Sequence, residues 1–200
     1  MLDSAASRVP LPALVEACVA AGANWVQVRE RALSGAALVA LTDGVRAAAT
    51  RGARTRGGSA RVLVNRRLDV ALAAAADGVH LGGDAVSPAD ARALLGDSAW
   101  IGVSAHAPEE IDPQSGASYA HLAPVFAPLS KTSARPPLGL EALRRAAVRG
   151  LPVLAQGGVT PERTRALLDA GAAGVAVTGS VLAAEDPAAA VRALREALDG

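Results

Sequence analysis

The sequence predicts an α/β chain folded as a (β/α)8 TIM barrel that lacks its first strand. Short β-branched runs alternate with Ala/Leu/Arg stretches of helical period, the pattern of a parallel sheet with crossover helices. Seven such runs are each followed by a helix and one more helix precedes the first run, which is one strand short of eight βα units. No glycine fingerprint of a dinucleotide fold follows a first strand, so an open doubly wound sheet fits less well.

The opening decapeptide MLDSAASRVP is polar, ends in proline and reads as a loop. The chain is therefore expected to begin one strand late, with the strand at 24–28 unpaired on one side, and such an open edge favours a homo-oligomer. A helix at 11–21 leads into that strand. The remaining strands are expected at 61–64, 78–80, 100–103, 119–122, 152–155 and 174–177. Helices are expected at 36–49, 67–75, 88–95, 108–114, 139–148, 161–169 and 187–198. Ser87-Pro88 and Thr160-Pro161 each set a capping hydroxyl before a proline at the first helical position. Three helices run into the similar phrases Ala-Gly-Ala-Asn, Ala-Ala-Asp-Gly and Ala-Gly-Ala-Ala-Gly, where glycine accepts the left-handed conformation that ends a helix.

Two hundred residues, 51% hydrophobic and 20% charged, are expected to make one soluble domain over residues 1–200 with a single core. A net charge of +1 and 2% aromatic residues supply neither a basic face nor stacking platforms, which argues against nucleic acid as a partner. The lone Cys18 lies in an apolar helical stretch and reads as core, consistent with a reducing compartment. No basic segment with an apolar run opens the chain, and Asp77 and Gly78 interrupt the alanine-rich run before it reaches membrane-spanning length. The expected location is the cytoplasm, away from membranes.

In such a barrel the C-terminal ends of the strands and the loops after them build the site. Residues 25–31 read WVQVRER; at a period of two, Trp25, Gln27, Arg29 and Arg31 share one face, which grows basic toward the mouth. The other strand ends offer Asn65, Arg66 and Arg67; His80 and Asp84; Ser104 and His106; Gln156, Gly157 and Gly158; and Thr178, Gly179 and Ser180. Gly157-Gly158 and Gly179-Ser180 sit in the last two βα loops, where backbone N–H groups at helix starts make a phosphate cradle. A side chain at Gly158 is expected to enter that cradle. Arg29, Arg31, Lys131 and Arg66, with Gln27, Asn65 and Ser104 as neutral partners, suit more than one phosphate, and a diphosphate fits best. Arg66 and Arg67 read equally well as solvated surface charges. Residues 124–138 form a long connection that reads as a lid carrying Ser130 and Lys131. Among the histidines, His80 reads as a core-facing strand residue, His121 as out of phase with the site, and His106 as the acid/base candidate. No Cys/His cluster has zinc spacing.

The pieces QVRERALSG, LVNRRLDVALAAAADGVHLG, IGVSAHAPEE, APVFAPLSK, LAQGGVTPE and GAAGVAVTGS resemble, in order and spacing, the thiamine phosphate synthases and the related thiazole tautomerases, from about residue 11 to 198. The resemblance implies a (β/α)8 barrel in which a pyrimidine pyrophosphate loses diphosphate and the resulting carbocation is captured by the nitrogen of a thiazole phosphate. It further implies that Gln27, Arg29 and Arg31 face the pyrimidine pyrophosphate, with arginine at 31 where the family usually has lysine. By the same match Asn65 contacts the pyrimidine, and Ser104 and Lys131 contact the pyrophosphate. Ser130, Gly139, Gly158, Gly179 and Ser180 fall to the thiazole phosphate. The implied partners are these two phosphorylated small molecules.

The sequence departs from the family at the metal. The resemblance implies Mg²⁺ held by an aspartate directly after the matched asparagine and by a second in the HLGQxD phrase, and these positions are Arg66 and Ala85 here. Asp84 stands one place early and is the remaining candidate ligand. Tautomerases resemble the synthases without those aspartates but carry a catalytic histidine where this chain has Pro124. A synthase-type transferase is the expected activity; a tautomerase-like enzyme and a non-catalytic binder of thiazole phosphate or thiamine phosphate are the alternatives.

Overall fold

The computed structural model describes residues 10–127 and 135–200. Helix α1 (Leu11–Ala20) enters strand β1 (Trp25–Val28), and the long α2 (Gly35–Thr55) returns to β2 (Arg61–Asn65). Then follow α3 (Leu68–Ala73), β3 (Gly78–Leu81), α4 (Pro88–Leu95), β4 (Trp100–Ala105), a 3-10 turn (Pro108–Glu110) and β5 (Tyr119–Leu122). The chain closes with α5 (Gly139–Ala147), β6 (Val153–Gln156), α6 (Pro161–Asp169), β7 (Gly174–Ala176), the short α7 (Gly179–Leu182) and α8 (Pro187–Asp199).

The seven strands form one all-parallel sheet in chain order, β1 to β7. Alternation along each strand explains why both faces are buried. Val26, Val28, Val62, Val64, Val79, Ile101, Ala120, Leu122, Val153 and Ala155 are buried against the helices. The opposite parity, Trp25, Leu63, His80, Gly102, Tyr119, His121 and Leu154, fills the barrel interior. Parallel sheets need such double cover.

Among the described residues the sheet is curled and its two end strands, β1 and β7, are not paired with each other. Between them lies a cavity of about 490 Å³ whose walls include Leu14 and Cys18 of α1, Trp25 and Gln27 of β1, and Val175 and Leu194 opposite. Among the described residues strand β1 pairs with β2 alone, and the expected loop at 1–10, on which the expectation of a missing strand rests, lies almost wholly outside them. Cys18 is a buried free thiol, and burial pushes its pKa up to about 11, so it stays protonated and unreactive.

Two helices differ from expectation. The helix expected at 36–49 runs six residues further, to Thr55. Gly52 does not stop it, because a Cβ there would stand 2.4 Å from the Glu16 carbonyl oxygen: the glycine lets α2 press onto α1. The helix expected at 108–114 is only the 3-10 turn Pro108–Glu110. Pro113 cannot donate the N–H a continuing helix needs. Among the described residues no helix is long and apolar enough to cross a membrane.

Candidate active site

The barrel interior is layered. At the N-terminal end, Trp25 stacks edge-on against Trp100 and Tyr119, with ring centroids 4.9 and 4.8 Å away, so three of the chain's four aromatic residues plug the floor. Above them lies a polar layer. The His80 and His121 rings stand 4.3 Å apart, His80 Nδ1 is 3.2 Å from the Tyr119 hydroxyl, and His80 Nε2 is 3.0 Å from Ser104 Oγ. Burial pushes the His80 pKa down to about 4 and that of His121 well below its ordinary value, with the neighbouring His80 adding to the second effect. Both imidazoles are neutral at pH 7. His121 was expected out of phase with the site; residue 121 instead shares the inward parity of Tyr119 and pairs in register with Ser104.

At the C-terminal ends the inward positions are Gln27, Asn65, Ser104 and Gln156, on β1, β2, β4 and β6. Gln27 is 8% exposed, and its side-chain Nε2 is buried with no hydrogen-bond partner among the described residues; Thr178 Oγ1 is in the same condition. Both line the cavity beside His121 and Gln156. A buried donor without an acceptor is costly unless a ligand or water supplies one. Arg29 is half-buried and Arg31 exposed at the mouth end of β1. Asn65 Nδ2 approaches the His80 carbonyl oxygen at 3.4 Å, and the Arg66 N–H donates to the same oxygen at 2.9 Å.

The two arginines after β2 are engaged. Arg67 forms a two-pronged pair with Asp69 at 2.8 and 2.6 Å, an exposed arrangement that matches its reading as surface charge. Arg66, at φ 67°, places Nη2 2.5 Å from Asp84 Oδ2. That hydrogen bond is the main cause holding the Asp84 carboxyl below the usual range, with a smaller contribution from Arg31. The geometry therefore does not fit Mg²⁺. Asp84 is neutralised by a guanidinium, Arg66 occupies the position where the resemblance implies a carboxylate, and no group of three metal-ligating side chains exists among the described residues.

The loop after β6 holds Gly157 and Gly158 at φ 95° and 60°. Their missing side chains make room for the start of the lid. A Cβ on Gly157 would lie 2.7 Å from Pro124 Cβ, and one on Gly158 would lie 2.4 Å from the Ala127 carbonyl oxygen. So a side chain at 158 meets the lid base before it meets any ligand, a constraint the sequence alone did not reveal. Val125 and Phe126 N–H groups donate to the Gln156 and Gly157 carbonyls at 2.8 and 3.1 Å. Leu138 and Gly139 N–H groups donate to the Pro124 and Val125 carbonyls at 2.8 and 3.0 Å. The two ends of the 124–138 connection are thereby pinned together beside the C-terminal ends of β5 and β6, and Gly139 takes φ 76° at the start of α5. Ser130 and Lys131 lie outside the described residues. Gly179 and Ser180 open α7, where the first N–H groups of a helix have no intrahelical partner.

Two anchoring residues escaped the sequence reading. Arg163 donates to the Gly158 carbonyl at 2.6 Å and places its guanidinium 4.9 Å from the Phe126 ring centre, clamping turn and lid base together. Its signal was present as a cation one turn into the helix after Gly-Gly. Tyr119 was read only as strand. His106 Nδ1 lies 2.7 Å from the Ala123 carbonyl oxygen and so donates to it, which ties the ring to the lid base rather than to the mouth.

A parallel barrel with a polar mouth, a glycine turn after its penultimate strand and a connection after β5 whose two ends are pinned together is the arrangement of a phosphate-handling enzyme of the barrel class. The family model for thiamine monophosphate synthase matches residues 2–181, and the chain belongs to that family. It is 41% identical over 191 residues to the thiamine-phosphate synthase of Moorella thermoacetica, covering 94% of this chain and 88% of that one. With the thiamine-phosphate synthase of Roseiflexus castenholzii it shares 39% over 194 residues, covering 95% and 82%. The solved thiamine phosphate pyrophosphorylase from Pyrococcus furiosus superposes with a TM-score of 0.79 at 29% identity, over 96% of this chain and 90% of that one. A 3-hexulose-6-phosphate synthase, at 20% identity and a TM-score of 0.65, shares the fold alone.

Proposed function

We propose that the chain is a thiamine-phosphate synthase, a transferase that joins a pyrimidine pyrophosphate to a thiazole phosphate and releases diphosphate. The observation that supports this most directly is Gln27: a buried amide donor with no partner among the described residues, on the strand that leads directly into Arg29 and Arg31. It calls for an acceptor from a bound ligand, and the adjacent guanidinium groups call for an anion.

In this reading the C–O bond between the pyrimidine methylene and the diphosphate breaks, and its electron pair leaves with the diphosphate. The methylene carbocation is then captured by the lone pair of the thiazole nitrogen. Negative charge gathers on the diphosphate oxygens, so donors already in place there act most strongly in the transition state. We assign that role to Arg29, Arg31 and, from the lid, Lys131. Gln27, Asn65 and Ser104 hold the pyrimidine pyrophosphate; Ser130, Gly139, Gly157, Gly158, Gly179 and Ser180 hold the thiazole phosphate. Because Asp84 is committed to Arg66, no step is assigned to Mg²⁺, and turnover is expected to depend only weakly on it. The cytoplasm suits both phosphorylated substrates.

One assay tests the reading: both substrates, with and without Mg²⁺, on the native chain and on Arg31→Ala. Thiamine phosphate formation that falls at least about tenfold in the variant, or ~1.4 kcal/mol of transition-state stabilisation, supports it. Absence of product together with tautomerisation of the thiazole carboxylate phosphate transfers the assignment to a tautomerase. Tight binding of thiamine phosphate without turnover makes the chain a binding protein.

A further inference from the structure

We infer that Tyr119 and His80 act as positioning residues that fix the direction of the Ser104 hydroxyl, so that Ser104 presents its proton, not its lone pairs, to the bound ligand. The argument follows hydrogen atoms through three residues. Tyr119 is 1% exposed, and the hydrogen-bonding neighbour of its hydroxyl among the described residues is His80 Nδ1, at 3.2 Å. A buried phenol carries one proton and needs somewhere to put it. If Nδ1 carried a hydrogen, the phenol would have to accept it and its own proton would point at nothing. So the phenol donates, and Nδ1 is the lone-pair nitrogen.

His80 is 3% exposed and burial keeps it neutral, so its single ring proton must then sit on Nε2. Nε2 lies 3.0 Å from Ser104 Oγ, and the Nε2–H donates to that oxygen. The serine oxygen is thereby used as an acceptor from below, and its own O–H is left to donate upward. Ser104 is half-buried near the end of β4, on the inward face, at the mouth.

The relay exists because residue 102 has no side chain. A Cβ on Gly102 would stand 2.2 Å from Tyr119 Cζ and 2.6 Å from His80 Nδ1, inside the hydrogen bond itself. The sheet register brings the three strands together there: His80 pairs with Gly102, and Gly102 with Tyr119. The other group facing His80 is the neutral His121 ring, 4.3 Å away, which offers no charge to reverse the order. The acceptor above Ser104 is a diphosphate oxygen or a ring nitrogen of the pyrimidine, an assignment that rests on the synthase reading; the proton direction does not.

The decisive measurement is made on the native protein without ligand. Nitrogen NMR of ¹⁵N-histidine-labelled protein at pH 7 is expected to show His80 as the Nε2–H tautomer. In Tyr119→Phe, which keeps the ring and removes the phenol proton, a population of the Nδ1–H tautomer is expected to appear. An Nδ1–H or doubly protonated His80 in the native chain overturns the inference, as does an unchanged tautomer in Tyr119→Phe.

Ligand measurements then name the acceptor. Inorganic diphosphate and the diphosphate-free pyrimidine alcohol are titrated separately into native protein and Tyr119→Phe. About tenfold weaker binding of one of them is expected, and that one carries the acceptor; unchanged binding of both overturns the claim that the hydroxyl faces the ligand. In turnover, His80→Gln, which keeps an N–H at the Nε2 position, should preserve KM for the pyrimidine substrate better than His80→Ala, with KM for the thiazole phosphate unmoved in either. If turnover is absent while the NMR result stands, the synthase reading fails and the relay survives.

Discussion

The paired histidines at the centre of the barrel make a quantitative prediction about acid. His80 and His121 are 3% and 7% exposed, and neither forms an ion pair with a carboxylate among the described residues. A histidine titrates near 6.5 in the unfolded chain but at about 4 for His80 in the fold, because burial penalises the charged ring. The folded value is the depressed one, so between these values the unfolded chain takes up a proton that the fold refuses. The stability His80 contributes is complete above about pH 6.5 and is lost progressively as pH falls toward 4. Roughly 2.5 pH units at ~1.4 kcal/mol each amount to about 3 kcal/mol for His80, with about 2 kcal/mol already lost at pH 5. His121 is shifted in the same direction and adds to the loss. That is a large share of the 5–15 kcal/mol on which a typical domain stands (~0.1 kcal/mol per residue). The assay is urea unfolding at pH 7 and pH 5, where most carboxylates are still ionised in both states. The native chain should lose at least about 2 kcal/mol, and the double variant His80→Gln/His121→Gln should lose far less over the same interval. Equal pH slopes in the native chain and the double variant would refute the claim that these two rings are buried and neutral.

Two further substitutions probe the mouth. Gly158→Ala combines a positive φ with a Cβ pressed against the lid base, so it should cost about 2–4 kcal/mol, whereas Gly139→Ala, with a similar φ and open space around it, should cost only about 1 kcal/mol; equal losses in urea unfolding would show that the lid base does not depend on the close approach at 158. Arg66→Asp removes the partner that neutralises Asp84 and adds a carboxylate at a position of φ 67°, which aspartate tolerates better than most residues. Calorimetry should detect Mg²⁺ binding to that variant and little or none to the native chain, and equal binding to both would contradict the ion-pair account of the site.

What the sequence disclosed and what it withheld divide along a physical line. Alternation reports which face a residue occupies, so WVQVRER located Gln27, Arg29 and the floor residue Trp25, and the strand-end rule placed Asn65, Ser104 and Gln156 at one rim. Alternation does not report which inward residues meet across the barrel. The contacts among His80, Tyr119, His121 and Ser104 depend on the register between four strands and on the gap left by Gly102, neither of which is a local property. Glycine misled in the same way. Gly52 acts as a contact surface between α1 and α2 that its local sequence does not announce; Gly158 reads as a phosphate turn and also makes room for the Ala127 carbonyl. Arg66 reads as a cation available to a ligand until the loop at Gly82–Asp84 turns its carboxylate onto it.

Among the described residues β1 and β7 are not paired, so the helices between them bear on how the proposed site holds its shape. The residues assigned to the two phosphorylated substrates flank the gap: Arg29 and Arg31 leave one edge strand, β1, and Gly179 and Ser180 follow the other, β7. Edge strands lack half their ladder bonds, and β7 is three half-buried residues long, whereas β3 and β5 are buried throughout. Among the described residues no strand pairing spans the space between β1 and β7, and the helices that bridge it hold the two sides of the proposed site together. Helix α8 packs against both α1 and α6, and Arg195 donates from α8 to the Asn24 side chain at 3.2 Å, just before β1 begins. Its stem also covers Gly22, where an added Cβ would meet Arg195 Cγ at 3.0 Å. On the proposed assignment, the sheet positions the groups of the pyrimidine side through β1, β2 and β4. On the same assignment, α8 and Arg195, which lie outside the mouth, contribute to the spacing of that side from the thiazole side.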